Sequence, residues 1–208
     1  MSCGLATGPD GLVRCAWAYS EPEYVAYHDE EWGRPVDGDD AVFERLALEA
    51  FQSGLSWIAI LRRREAFREA FAGFRIDRIA RFTERDIERL LTNRAIIRNR
   101  AKIEAVVHNA RTARALRREG CSLSDLVWQH AAPADAPLPR CRSDIPTRSE
   151  ESAALAETLR RHGFRFIGPT TAYAHMQATG MINDHVVGCI VADDVTRWRR
   201  EFLRLRAG

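Results

Sequence analysis

Apolar residues in this chain recur at intervals of three and four almost from end to end, which confines it to a fold built from helices. Phe43, Leu46, Ala47, Ala50 and Phe51 mark one such stripe, with Asp39 or Asp40 as its cap. Gly54 interrupts it, Leu55–Leu61 makes a short apolar helix or turn, and the period resumes over Glu65–Phe71. Thr83-x-x-Asp86 is a capping-box pattern ahead of Ile87, Leu90 and Leu91. Arg100–Glu119 predicts a long helix with Ile103, Val106, Val107 and Ala110 inward. Gly120 ends it, and Ser122 caps the next, with Asp125 in its first turn. Two more helices follow, from Ser149 to Arg161 and from Gly168-Pro169 to Gly180. No pair of strands bounded by a hairpin turn is visible, and no internal repeat. The expected fold class is all-α.

Pro133, Pro137, Pro139 and Pro146 make residues 131–146 an extended linker. At 208 residues the chain is long enough for one large domain or two small lobes. The linker favours a single domain over 1–190, with a central helical lobe at 39–130. The chain ends would pack on it as a smaller lobe from 14–38 and 147–190, followed by a tail, 191–208. In that tail Trp198, Phe202 and Leu205 form a stripe suited to docking on the protein rather than on DNA.

No run of ~18 apolar residues exists, and the first 14 residues lack the apolar core of a signal peptide. The expected compartment is the cytoplasm, with no membrane partner. In that reducing setting Cys3, Cys15, Cys121, Cys141 and Cys189 should be buried, metal-bound or free rather than bridged. The net charge of +2 points to no particular partner. Lys102 is the only lysine; every other basic residue is arginine, whose planar fork suits phosphate.

Cys15 and His28 lie 13 positions apart, and His185 and Cys189 lie 4 apart. Two thiols and two imidazoles match the ligand softness of zinc, and residues i and i+4 share one helix face. Spacing alone leaves two readings open. In one the four are ligands; in the other they are ordinary buried cysteines and hydrogen-bonded histidines.

Five blocks are more specific. They are Arg14-Cys15-Ala16-Trp17 with Tyr24-Val25-Ala26-Tyr27-His28-Asp29-Glu30-Glu31-Trp32-Gly33; Leu48-Glu49-Ala50-Phe51-Gln52-Ser53-Gly54-Leu55-Ser56-Trp57; Ile96-Ile97-Arg98-Asn99-Arg100-Ala101-Lys102-Ile103; Gly168-Pro169-Thr170-Thr171 with Met176-Gln177-Ala178; and Asn183-Asp184-His185 through Cys189. In this order the chain resembles the DNA-3-methyladenine glycosylase I family over roughly residues 14–190. The resemblance implies a helix-hairpin-helix DNA glycosylase fold and hydrolysis of 3-methyladenine from alkylated double-stranded DNA, with the free base as product. It also implies one structural zinc held by Cys15, His28, His185 and Cys189, which closes the metal to water and fastens the two chain ends. A monomer is expected.

A base inside a duplex must be flipped out before its glycosidic bond is reached. The resemblance assigns Tyr27, Trp57, Trp17, Trp32, Tyr24 and Gln52 to the pocket that receives it. Glu49 is the expected catalytic group, acting by recognition: its carboxylate opposes the positive charge that methylation places on the ring. That charge already makes the base a good leaving group. The resemblance also implies no aspartate beyond the hairpin to orient water, so Asp125 reads as part of a helix cap. Arg98, Arg100 and Lys102 are expected at the DNA backbone, although no glycine lies between Asn93 and Arg111 to ease a phosphate contact. His175 stands where the family pattern has an aromatic residue. Two other readings stay open: a zinc-stabilised binder of alkylated DNA without catalysis, and a zinc hydrolase.

Overall fold

The computed structural model describes residues 3–207; Met1, Ser2 and Gly208, at the ends of the expected domain ranges, lie outside it. The first element corrects the all-α expectation. Strands β1 (Leu5–Thr7) and β2 (Val13–Cys15) pair antiparallel, with Leu5 opposite Cys15. The rest is helical: α1 Pro22–Glu30, α2 Asp39–Gln52, α3 Trp57–Leu61, α4 Arg64–Ala70, α5 Ile76–Ile79, α6 Glu84–Thr92, α7 Arg100–Arg118, α8 Leu123–Trp128, α9 Glu150–Arg161, α10 Pro169–Ala178 and α11 Ala192–Ala207. No helix of the described residues is long and apolar enough to cross a membrane.

Helix α2 is the central strut. Its Val42, Phe43, Leu46, Leu48 and Phe51 are buried, and Phe51 meets Phe67 of α4 with ring centroids 4.6 Å apart. Full burial of such side chains contributes roughly 1.5–3 kcal/mol each. The same core takes in Ile103 and Val107 of α7, Leu155 and Leu159 of α9, and Met176 of α10.

The start of α2 departs from expectation. Its N-cap is Gly38, at φ +84°, and Asp39 and Asp40 lie in the first turn. Their carboxylates serve other helices. Asp39 accepts from the Ser124 N–H of α8 at 2.9 Å, and Asp40 from the Ile76 N–H of α5 at 3.1 Å. An acid at a foreign helix start satisfies an orphan donor there while sitting near its own positive dipole end. Other caps follow the sequence. Thr83 and Asp86 close a capping box and Ser122 accepts from Asp125 N–H, whereas the cap of α7, Asn99 accepting from Lys102 N–H, is not among the expected ones.

The expectation of unbridged cysteines is corrected too. Cys3 and Cys141 form a disulfide across 138 positions. The linker brings this about by running back along the N-terminal hairpin. Arg142 N–H donates to the Cys3 carbonyl at 3.2 Å, Val187 N–H to the Pro139 carbonyl at 2.9 Å, and residues 142–144 close a 3-10 turn. Cys15, Cys121 and Cys189 are free thiols.

Helix α11 lies on the protein, but its inner face differs from the expected stripe. Val195 and Arg199 are buried, while Leu205 is exposed. The Arg199 guanidinium donates to the carbonyls of Gly180, Ala132 and Met181 at 2.7–3.1 Å. Trp198 instead lies under Arg34, and Phe202 packs on Trp128 at 4.5 Å.

Candidate active site and metal cluster

A cavity of about 450 Å³ opens between α1, α2, α3 and α10, within the range typical of small-molecule sites. Trp17, Tyr24, Tyr27, Trp32, Glu49, Gln52 and Trp57 all line it, so the structure brings together every residue expected there. Pro22 at the first position of α1 starts the helix that carries Tyr24 and Tyr27. Gly54, at φ +82°, turns the chain out of α2 so that Trp57 of α3 comes back over the same cavity. Tyr27 and Trp57 stand 5.5 Å apart, tilted by 41°; Trp17 meets Trp32 edge-on at 5.0 Å.

Glu49 is the anomaly of this lining. It is 5% exposed, and its Oε2 has no hydrogen-bond partner. Burial pushes its carboxyl up to about 8, partly offset by the positive charge of Arg45. An unpartnered buried acid is costly unless something else completes it. Trp57 Nε1 is a second buried group without a partner. The Tyr27 hydroxyl is pushed above its ordinary range by burial and then by Glu49.

Sequence reasoning missed five residues of the lining: Arg142, Ile145, Ala174, Gln177 and Ala178. Gln177 is held by its amide donating to Asp184 Oδ2 at 2.8 Å, which also accepts from Tyr173 at 2.6 Å. The Met176-Gln177-Ala178 block was a visible signal for part of this wall; nothing local marks Arg142 or Ile145. His175, on the same helix, is fully buried with both ring nitrogens unpartnered, and burial with the charge of Arg45 pushes its pKa down to about 3. Burial thus favours the neutral imidazole there.

Behind the pocket, the donor atoms of Cys15, His28 and Cys189 all lie within 4.8 Å of one another, buried. This is a candidate metal site. His185 is outside that tight group, but its ring centroid is 5.0 Å from that of His28. Its Nε2 is buried and unpartnered. Each imidazole is oriented from behind: His28 Nδ1 meets Asp29 Oδ1 at 2.7 Å, and His185 Nδ1 meets Asn183 Oδ1 at 2.9 Å. Oxygen acceptors at Nδ1 leave Nε2 with its lone pair forward, the usual second shell of a metal-binding histidine. Gly33 makes room for this. At φ +82°, it would place a Cβ 2.9 Å from the His185 ring.

The expected DNA contacts fare differently. Helices α6 and α7 are joined by residues 93–99, with Arg98 exposed. Arg100 is exposed but paired with Glu84, Glu88 and Glu104. Lys102 must be corrected as a phosphate contact. It is 7% exposed, and its ammonium donates to the carbonyls of Phe51 at 2.9 Å and Ser53 at 2.5 Å. Those carbonyls belong to the C-terminal end of α2, where a cation satisfies orphan acceptors and the negative dipole end.

Residues 17–192 match the Methyladenine glycosylase family. The chain belongs to that family. It is 43% identical over 179 residues to the DNA-3-methyladenine glycosylase of Haemophilus influenzae, covering 85% of this chain and 96% of that protein. A crystal structure of 3-methyladenine DNA glycosylase I superposes with a TM-score of 0.80 at 44% identity, covering 85% of this chain and 98% of that one. The Staphylococcus aureus 3-methyladenine DNA glycosylase I, solved for its recognition of 3-methyladenine, superposes at 0.79 with 33% identity, covering 86% and 96%. The family match thus spans the pocket from Trp17 to Ala178 and takes in His28 and Cys189 of the cluster, while β1, β2 with Cys15, and most of α11 lie beyond it.

Proposed function

We propose that this protein is a monofunctional DNA glycosylase that hydrolyses the N-glycosidic bond of 3-methyladenine in alkylated DNA, the first step of base excision repair. The observation that carries this reading is the pocket: an aromatic cavity with room for a purine and one buried, unpartnered carboxyl at Glu49. A flipped cationic base supplies what that pocket lacks. Its charge draws Glu49 into the carboxylate form, its edge donates a hydrogen bond to the open oxygen, and its ring stacks on Trp57 and Tyr27. Trp17, Trp32, Tyr24 and Gln52 close the remaining walls against water.

The chemistry then asks little of the protein. The methylated ring leaves as a neutral purine, so no general acid is needed, and water completes hydrolysis at the sugar. Glu49 acts through recognition of the charged ground state. Strand cleavage would require an amine nucleophile, and Lys102 is bound to two carbonyls.

The helix pair α6–α7 is our helix-hairpin-helix element, its α7 N-terminus facing the DNA backbone with Arg98 and Arg100 beside it. Cys15, His28, His185 and Cys189 would hold one zinc. The unpartnered Nε2 of His185 beside three clustered donors fits that ion. A closed four-ligand zinc contributes stability and no reactive water. In our reading this site fastens the two chain ends, 14–38 and 147–190, into a terminal lobe that packs on the central lobe, 39–130, of a single domain that works as a cytoplasmic monomer.

The test is direct. Purified protein incubated with methylated duplex DNA should release free 3-methyladenine and leave the strands intact. Absence of base release, with duplex binding retained, would instead favour a binder of alkylated DNA without catalysis.

A further inference from the structure

Arg142 is the only basic residue among those lining the pocket. It sits at the exposed mouth, opposite in character to the buried Glu49. Its guanidinium has no hydrogen-bond or ion-pair partner among the described residues. Arginines on α2, α4 and the turn after α3 are engaged elsewhere, Arg45 and Arg64 with Glu31 and Arg62 with Glu21 and Glu23, and Arg140 and Arg148 do not line the cavity.

The backbone under Arg142 is held firmly. Cys141 is bonded to Cys3, and Arg142 N–H donates to the Cys3 carbonyl at 3.2 Å. Asp144 Oδ2 accepts from the N–H groups of Arg140 and Cys141 at 3.0 and 2.8 Å. Gly4, at φ +98°, lets the N-terminal chain lie against this turn, since a Cβ there would be 3.0 Å from Arg142 Cβ. An exposed arginine with free donors thus rises from a braced turn at the rim of the cavity.

We propose that Arg142 binds the DNA phosphate next to the flipped nucleotide. The inference rests on the glycosylase reading above and adds a residue to it. The substrate nucleotide is itself polarised, with a cationic base and an anionic phosphate. Glu49 inside and Arg142 at the mouth match that polarity end for end. A guanidinium turned toward the methylated base would be repelled by it, whereas phosphate accepts two of its parallel N–H groups. The braced turn lowers the entropy lost when the contact forms.

The experiment compares wild type, Arg142→Ala and Arg142→Lys on methylated duplex, and measures binding of free 3-methyladenine separately. Arg142→Ala should raise KM for DNA by about five- to twentyfold, with kcat near wild type. It should lower the slope of log affinity against log salt by about 0.9, the loss of one phosphate contact. Arg142→Lys should keep the wild-type salt slope and recover part of the affinity. Free base should bind all three proteins equally. The proposal is overturned if Arg142→Ala leaves KM and salt slope unchanged, or if it weakens free-base binding as much as DNA binding. Base release by wild type with an unaffected Arg142→Ala would sink this inference alone; no release by wild type would sink the glycosylase reading with it.

Discussion

Trp32 stands edge-on to His185 with ring centroids 4.5 Å apart, so one tryptophan is both a wall of the pocket and a cover for the Cys/His cluster. Trp17 repeats the arrangement against His28 at 5.2 Å. Anything that disturbs the cluster should therefore be felt in the pocket.

Cys189→Ala should lose bound metal and melt several degrees lower, because metal binding is coupled to folding. It should also weaken binding of free 3-methyladenine at least severalfold through Trp32. Metal analysis and calorimetry on the same samples check both. Full metal content in the variant would rule out the ligand set.

A pH profile is the next expected consequence, with Glu49 as its source. Its carboxyl is raised from 4.5 to about 8, so the free enzyme carries it protonated at neutral pH. If the carboxylate is the form that recognises the cationic base, kcat/KM should rise about tenfold per pH unit up to about 8 and then level off. Glu49→Gln should flatten that rise, weaken free-base binding by about tenfold or more, and leave metal content unchanged. The sign for stability is opposite. Between the two pKa values the folded state holds one more proton than the unfolded state, so this group's contribution falls as pH rises from 4.5 toward about 8. A profile identical in wild type and Glu49→Gln would remove Glu49 from recognition.

Lys102→Met should act on stability. It leaves the Phe51 and Ser53 carbonyls without their donor, at a cost of about 1–3 kcal/mol. The salt dependence of DNA binding should not change. Thermal melts and salt titrations separate the two roles, and a borohydride-trapped DNA adduct at Lys102 would contradict both this placement and monofunctional chemistry.

Arg199→Met should free α11. Its guanidinium joins three buried carbonyls from two segments, and their loss should cost about 2–4 kcal/mol. Limited proteolysis should cut the variant within 192–207 well before wild type. Equal resistance would show that apolar packing by Val195 and Phe202 alone secures the helix.

The helices were legible because many carry their own local signals: Thr83 with Asp86, Ser122, and Pro169 at a helix start. Those signals act within four residues, so a sequence displays them. The hairpin was not legible, because three-residue strands are too short for alternation to register. Asp39 and Asp40 looked like caps of the helix they begin, whereas their partners lie at α8 and α5, which only the packed chain brings near. Lys102 was misread for the same reason: beside Arg98 and Arg100 it resembles part of a basic edge, and its true partners are 49 and 51 residues upstream. The pocket was legible on the walls made by the N-terminal blocks. Arg142 and Ile145 were hidden, because they reach it through a linker whose course depends on Cys3 and on the backbone near Val187.

Cys15 Sγ accepts from the N–H of Val186, a contact that joins positions 171 apart. On the ribosome this has a definite order. Helices α2 to α8 are complete once Trp128 has emerged, and the chain then needs 61 more residues to reach Cys189. At ~5–20 residues per second that is a lag of roughly 3–12 s. Throughout it, the Cys15 thiol and the His28 ring have nothing to close on, and at its start the core of α2 and α7 still lacks Leu155, Leu159 and Met176. The contact between the chain ends thus forms late in synthesis, after α9 and α10 and ahead only of α11, and any nascent chain stalled before Cys189 carries Cys15 and His28 without their partners.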